Sequence, residues 1–555
     1  MRSVLPWLHQ EQFTEEERAL LGPHFTDLDG PVFALVNLPE VTKGALFARY
    51  SRSPKSLRRL FLDEFAEGAS GSGGSERAVA GAPRGKERSA PREGSSAGVQ
   101  RAEQLYERVF LEYGDDSVAQ LGGVHLACEQ SSQILAKVLE WGRLAAYLEQ
   151  STRYVPYDDR PGGRWRYCVP EEIEGSPLAD RYVRTCDAAF ETYGKWLGPM
   201  QVFYRELFPK DPADSDFVYR MSIRAKACDT LRGLLPAATR TNVGIYATGQ
   251  AYEQLLLRMR ANPLTEVRAY GELVLTELRK VIPAFLTRVD REDRGGAWSG
   301  YLQETRERTA QVAASLPHER PEPRPGVVLS DFDPEGEYKV VAAALYAATD
   351  LPDDQLLRRV EKLAPAERKA VLDAYVGDRT NRRHKPGRAF ERTSYRFDVL
   401  CDYGAFRDLQ RHRLLTIEWQ SLSPEHSYEL PPEISEAGVL SDWQRVMEAS
   451  ADLHDALAEQ GLPEAAQYAV AMAYRIRFVM HMNAREAMHL IELRSTLQGH
   501  PVYRRVAQEM HRLISEVHPA IAGAMSFADH STVSLERLEA ERRTEAKRKA
   551  METTR

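Results

Sequence analysis

RHRLLTIEWQS, residues 411–421, is the stretch on which the reading of this chain turns. Arg411, His412 and Arg413 set three adjacent cationic or titratable side chains at what reads as the start of a polar loop, and Ser421 follows after seven residues. A guanidinium is a rigid fork of donors suited to phosphate or carbonyl oxygens, and an imidazole donates or accepts near neutral pH. As an isolated tripeptide, RHR reads more simply as an exposed basic turn. Downstream, HMNAREAMHLIELR (481–494) reads as a helix with Met482, Leu490 and Leu493 on its apolar side. Arg485 and Arg494 lie about two and a half turns apart on it, hence on different faces. Upstream, YLEQSTRY (147–154) alternates Glu149, Ser151 and Arg153. In an extended loop such residues face one way and could converge on one polar ligand. Arg232 precedes GLLP, and Arg258 follows a Leu triplet.

The bulk properties bound the function. A chain of 555 residues is too long for one ordinary core and predicts two or more domains. The net charge of -7 gives no global basic field, so bulk nucleic-acid binding is not expected. Five scattered cysteines, none in a CxxC pair, predict reduced thiols and neither a disulfide framework nor a metal cage. No apolar run approaches the ~20 residues of a membrane span, and no signal peptide is apparent at the N-terminus. A cytoplasmic protein is expected.

Composition divides the chain. Residues 67–100, rich in Gly, Ser, Ala and Arg, read as a disordered insertion. Residues 291–335, with DREDRGG just before and within them and PHERPEPRPG beyond, read as a linker, residues 1–25 as an N-terminal extension, and 531–555 as a charged, fraying C-terminal helix. Apolar spacings near 3.6 predict helix over 101–112, 174–208, 251–290, 340–376, 441–460, 464–494 and 502–525. Strand signals are fewer: SYRFDVLCDY (394–403) and FALVNL (33–38). The expected class is α+β and helix-rich.

In order and spacing, RHR-x7-Ser at 411–421, Asn-Ala-Arg at 483–485 with Leu-Arg ending at 494, and Glu391 twenty positions before RHR resemble the flavin-dependent thymidylate synthase family. Arg392 stands where that family has a His. The first half resembles the same family differently, through YLEQSTRYV (147–155), LRGLLP (231–236) and LLLR (255–258) followed by Glu266. Trp141-Gly142-Arg143 holds its RHR position, and the Asn-Ala-Arg position, near 247–250, has lost the motif. The resemblance implies two diverged copies, over 26–290 and 336–530, each a helix-rich repeat with a small antiparallel sheet. It implies FAD held by Arg411, His412, Arg413, Glu391, Asn483 and Arg485. It implies dUMP held by Glu149, Ser151, Arg153, Arg232 and Arg258, with Ser421 and Arg494 at the reacting centre, Ser421 as a ligand contact or an activated-site hydroxyl, the contact being favoured. The second copy has Glu418, Trp419, Ser421 and Ser423 in its loop, lacks the loop arginine, and has Gln467 near the place of the Leu-Pro arginine. Composite sites between the copies follow, with a homodimer standing in for the family's homotetramer. The implied reaction is reductive methylation of dUMP with methylenetetrahydrofolate and NADPH. The alternatives are a flavin- or nucleotide-binding homologue without methylation, or one acting on another pyrimidine nucleotide.

Overall fold

A period of two governs residues 475–483. Ile476, Phe478, Met480 and Met482 are buried while their neighbours are more exposed, which is a strand with one covered face. The computed structural model describes residues 11–30, 33, 35–50, 55–66, 120, 122–317 and 322–531, with 535, 538, 542, 545 and 546 beyond. Among the described residues there are seven strands, β1 (Gly123–Ser132), β2 (Ala145–Glu149), β3 (Arg240–Thr248), β4 (Val327–Phe332), β5 (Ser394–Asp402), β6 (Leu415–Trp419) and β7 (Arg475–Asn483). They form two antiparallel sheets, ordered β1-β3-β2 and β4-β5-β7-β6. Helices pack around both, so the α+β expectation holds.

The same unit is built twice. A strand runs into a short helix capped by its own last residue: Ser132 Oγ accepts from Leu135 N at 2.9 Å, and Asp402 Oδ1 from Ala405 N at 2.9 Å. A hairpin-like strand follows (β2 or β6), then a long helix, Ala179–Leu207 or Leu440–Glu459. The central strand then enters a helix through a polar cap, Thr248 to Ala251 N at 3.3 Å and Asn483 to Glu486 N at 2.9 Å. The two units meet along 233–238 and 468–473. Pro236 bridges Ala471, flanked by the exchanged pairs Ala237 N→Val470 O (2.8 Å) and Met472 N→Leu235 O (2.9 Å). Ala238 N→Tyr468 O (3.1 Å) and Ala473 N→Gly233 O (3.0 Å) continue the exchange. Such reciprocity defines a local twofold axis through Pro236 and Ala471. Gly233 is required there, since a Cβ would meet the buried Trp443 ring at 2.7 Å.

Several sequence expectations change. The run 464–494 is not one helix; spacings of four satisfy strand and helix alike, and β7 occupies its centre. LLTIEWQ is not a polar loop: β6 covers Leu415–Trp419. Residues 291–335 hold the helix Ala297–Ser315 and edge strand β4, which pairs with β5. Prolines divide 251–290 after Ala261 and divide 340–376 into three helices. Among the described residues of 33–38, only Leu35 forms a bridge, an isolated one with Phe25. The insertion at 67–100 and the helix expected at 101–112 lie outside the described residues, as does most of 531–555, although Arg542 there bonds Asp214 at 2.5 Å. All five cysteines are free thiols. Among the described residues no helix is long and apolar enough to cross a membrane.

Candidate active site between the two halves

The helix Tyr403–Gln410 aims its C-terminal end at the partner half, because Arg407 and Arg411, one turn apart, share one face. Both donate to the carboxylate of Glu149 at the end of β2, Arg411 Nη1 to Oε2 at 2.5 Å and Arg407 Nη2 to Oε1. The Glu149 side chain is only 1% exposed. Arg411 also bonds Asp408, and Arg494 Nη1 stands 3.7 Å from the same carboxylate. Burial opposes the charge of Arg411, but Asp408 and Glu149 more than compensate, so it stays protonated.

Arg153 reaches this region from the turn after β2, where Arg153 N bonds Ser151 Oγ at 3.3 Å. Its Nε donates to Asp229 at 2.6 Å, and its Nη1 to Gln498 O (3.2 Å) and the Tyr503 hydroxyl (3.3 Å) of the other half. Glu149, Ser151 and Arg153 therefore do not project from one continuous extended loop. Arg232 is buried with Asp402 3.9 Å away. His412 is buried, its Nε2 accepting from Arg494 Nε at 3.0 Å and its Nδ1 facing Glu486 Oε1 at 3.0 Å. Those partners assign the proton to Nδ1. Burial, then Arg494, lowers the imidazole to about 4 against the pull of Glu486, so the ring is neutral. His412, Glu486 and His489 present ligand atoms within 4.8 Å of one another, but the fixed charge of Arg494 on the same ring opposes a metal ion.

The structure thus brings together Glu149, Ser151, Arg153 and Arg232 of the first half with Arg411, His412 and Arg494 of the second. It places the other candidates elsewhere. Arg485 donates to Pro386 O (2.9 Å) and to Glu391 (3.4 Å), and Asn483 caps its helix. Ser421 is exposed on the loop after β6, and among the described residues no hydrogen bond ties it to the cluster. Arg258 lies over the Trp141 ring, 5.4 Å from its centroid. It lines a cavity of about 480 Å³ together with Glu140, Trp141, Tyr147, His412 and Arg413. Within that cavity Arg258 Nε and Glu140 Oε1 are buried without hydrogen-bond partners. Arg413 bonds Ala145 O at its wall, mirrored by Arg143 Nη2→Thr416 Oγ1 at 2.9 Å.

The local twofold axis supplies a counterpart for each contact. Where Arg407 and Arg411 hold Glu149, Lys137 and Trp141 face Trp419: Lys137 Nζ lies 5.8 Å from its ring, and the two indoles meet edge to face at 5.4 Å. Where Arg232 stands, Gln467 accepts from Leu422 N at 3.1 Å and from Lys137 at 3.5 Å. One quasi-equivalent place is ionic; the other is aromatic. Reading the sequence missed Arg407, Asp408, Glu140, Asp229 and Tyr503. The four-residue spacing of Arg407 and Arg411 was a usable signal; Asp229 and Tyr503 carry none.

Fold and site define the class, a thymidylate synthase-like methyltransferase. The family model described as thymidylate synthase complementing protein matches twice, over residues 71–284 and 328–520, and the chain belongs to this family of flavin-dependent thymidylate synthases. A UPF0159 protein of Chlamydia muridarum is 39% identical over 96% of this chain and 99% of its own length. A UPF0159 protein of Thermoplasma acidophilum is 31% identical over 91% and 99%. A flavin-dependent thymidylate synthase of Geobacter sulfurreducens is 28% identical over 34% of this chain and 81% of its own length, so it is similar to part of this chain. A solved UMP/dUMP methylase, PolB of Streptomyces cacaoi with 5-Br dUMP, aligns at 18% identity over 36% of this chain and 93% of its own, with a TM-score of 0.29.

Proposed function

We propose that this chain methylates the uracil ring of dUMP reductively, with FAD as cofactor and methylenetetrahydrofolate and NADPH as co-substrates, at one composite site between its halves. The observation that carries the reading is the convergence of Glu149 and Arg153 with Arg411, His412 and Arg494. Family membership supports the flavin. The cavity under Trp141 fits it chemically: aromatic and aliphatic walls suit a flavin ring, and Arg258 and Arg413 suit its diphosphate. Bound there, the flavin would supply the hydride. The protein's share is to orient the pyrimidine and to stabilise charge developing on its carbonyl oxygens, where one preorganised donor contributes about 3–4 kcal/mol. Arg153, Arg232, Arg411 and Arg494 are the donors to hand for the nucleotide as a whole, its phosphate included.

Exposed Leu144, Leu148, Tyr246 and Leu414 lie on or beside the β2–β3 sheet and the cavity, and they support a dimer of chains. A second reading, a homologue acting on a different pyrimidine nucleotide, is favoured by one observation: Trp419, packed on Trp141, stands in the second half where the acidic Glu149 stands in the first. Absorbance of the purified chain, followed by dUMP titration and a dTMP assay, tests the proposal. A flavin band that shifts with dUMP, and a weakened shift in Arg153→Ala, are expected. A chain without flavin, or one whose dUMP affinity ignores Arg153, would overturn it.

A further inference from the structure

We infer that the Asp408 carboxylate is an internal anion, standing in the free chain where the arginine cluster receives the substrate's phosphate, and displaced when that phosphate binds. This role presupposes that the cluster is a nucleotide site, as proposed above. The place of Asp408 in its helix disfavours a carboxylate, apart from the pair it makes with Arg411. It lies in the last turn of the helix Tyr403–Gln410, where the helix end is partially negative and an acidic side chain is disfavoured. Its stabilisation comes from guanidiniums: Arg411, three residues on, donates to Oδ1, and Arg494 Nη1, from the helix Ala484–Arg494, is 3.7 Å from that same oxygen. Two further guanidiniums close the ring. Arg153 and Arg494 share Tyr503, one at its hydroxyl (3.3 Å) and one over its face (5.5 Å). Arg232 lies on Gly404, one turn before Asp408, so closely that a Cβ there would meet its Nε at 3.0 Å. Burial alone would raise the Asp408 carboxyl; Arg411, Arg494, Arg232 and Arg153 together hold it well below the usual range.

Charge decides what must move. Arg153, Arg232, Arg407, Arg411 and Arg494 face Asp229, Asp402, Glu149 and Asp408, so the free cluster is nearly balanced. A phosphate brings a charge of about -1.5 to -2, so with all four carboxylates in place the filled, largely buried cluster would carry net negative charge. One of them has to leave. Glu149, Asp229 and Asp402 have side chains 1%, 6% and 7% exposed, whereas Asp408 is 17% exposed and sits at a helix end. Asp408 is the one that can turn to water without burying an unpaired charge.

Calorimetric titration with inorganic phosphate, dUMP and deoxyuridine, with thermal melts, compares the full chain with Asp408→Asn and Asp408→Glu. Asp408→Asn should melt lower in phosphate-free buffer, recover on adding phosphate, and bind phosphate at least about tenfold more tightly. Asp408→Glu should stay close to the parent, and deoxyuridine affinity should not change in either variant. Phosphate affinity that is unchanged or weaker in Asp408→Asn overturns the inference. Tighter phosphate binding without any dUMP binding upholds the internal anion while removing the nucleotide reading. Should Asp408→Asn not fold, a crystal of the unaltered chain with phosphate decides: the anion on Arg411 and Arg494 with Asp408 turned outward is expected, and Asp408 still on Arg411 with the anion bound beside it sinks the idea.

Discussion

Glu140 shows how far one side chain's chemistry depends on its surroundings. It is buried at the rim of the Trp141 cavity with Oε1 unpaired, and burial, reinforced by Glu149 and opposed by Arg411 and Arg407, pushes its carboxyl up to about 8. The folded chain therefore keeps up to about 8 a proton that the unfolded chain releases near the ordinary carboxylate value of 4.5. Stability from this group is complete below that window and is lost as pH rises through it. Urea unfolding of the parent and of Glu140→Gln from pH 5 to 8.5 is expected to show the parent losing ground steadily; parallel curves would contradict the assignment. His412 has the opposite sign at the acid end. Its folded value of about 4 lies below 6.5, so its contribution disappears as pH falls through that interval. At this scale the sequence showed which residue types were present, but not their protonation, because Glu140 is shifted first by burial, which only the packed fold creates.

Elements were legible where their period was unambiguous. SYRFDVLCD, with its alternating or clustered β-branched and aromatic residues, sufficed to predict β5, and Ala179–Leu207 and Leu440–Glu459 follow from helical spacing. Strand β7 escaped because Ile476, Met480 and Ala484 also fit a helix, so only pairing with β5 and β6 decides. Asn483 marks the switch from strand to helix. Its cap is expected to contribute about 1 kcal/mol, so denaturant midpoints should fall for Asn483→Ala and be largely retained for Asn483→Asp. Equal midpoints for all three would mean that Asn483 serves something other than the helix end.

As a whole molecule the chain behaves as a dimer joined by covalent linkage. The halves exchange backbone bonds about Pro236 and Ala471, and ion pairs cross between them at Glu149. Each half alone would expose Trp443 or the 233–238 segment and leave buried charges unpaired. Fragments 1–317 and 322–555, co-expressed, are expected to co-purify in one-to-one ratio, and each alone to aggregate or melt far lower. Two stable monomeric halves in size-exclusion chromatography would refute this. The sequence by itself determined the order and separation of the motifs, and through the family resemblance they carry, the class and the duplication, since a motif is a local run of residues. Only the tertiary structure decided that Glu149 is gripped by Arg407 and Arg411, that Arg258 faces Trp141 and not Arg153, and that one quasi-equivalent place is ionic and the other aromatic. The physical reason is that an ion pair or ring contact between residues hundreds of positions apart leaves no periodic trace in either segment; it exists only once the twofold packing has brought them to one place.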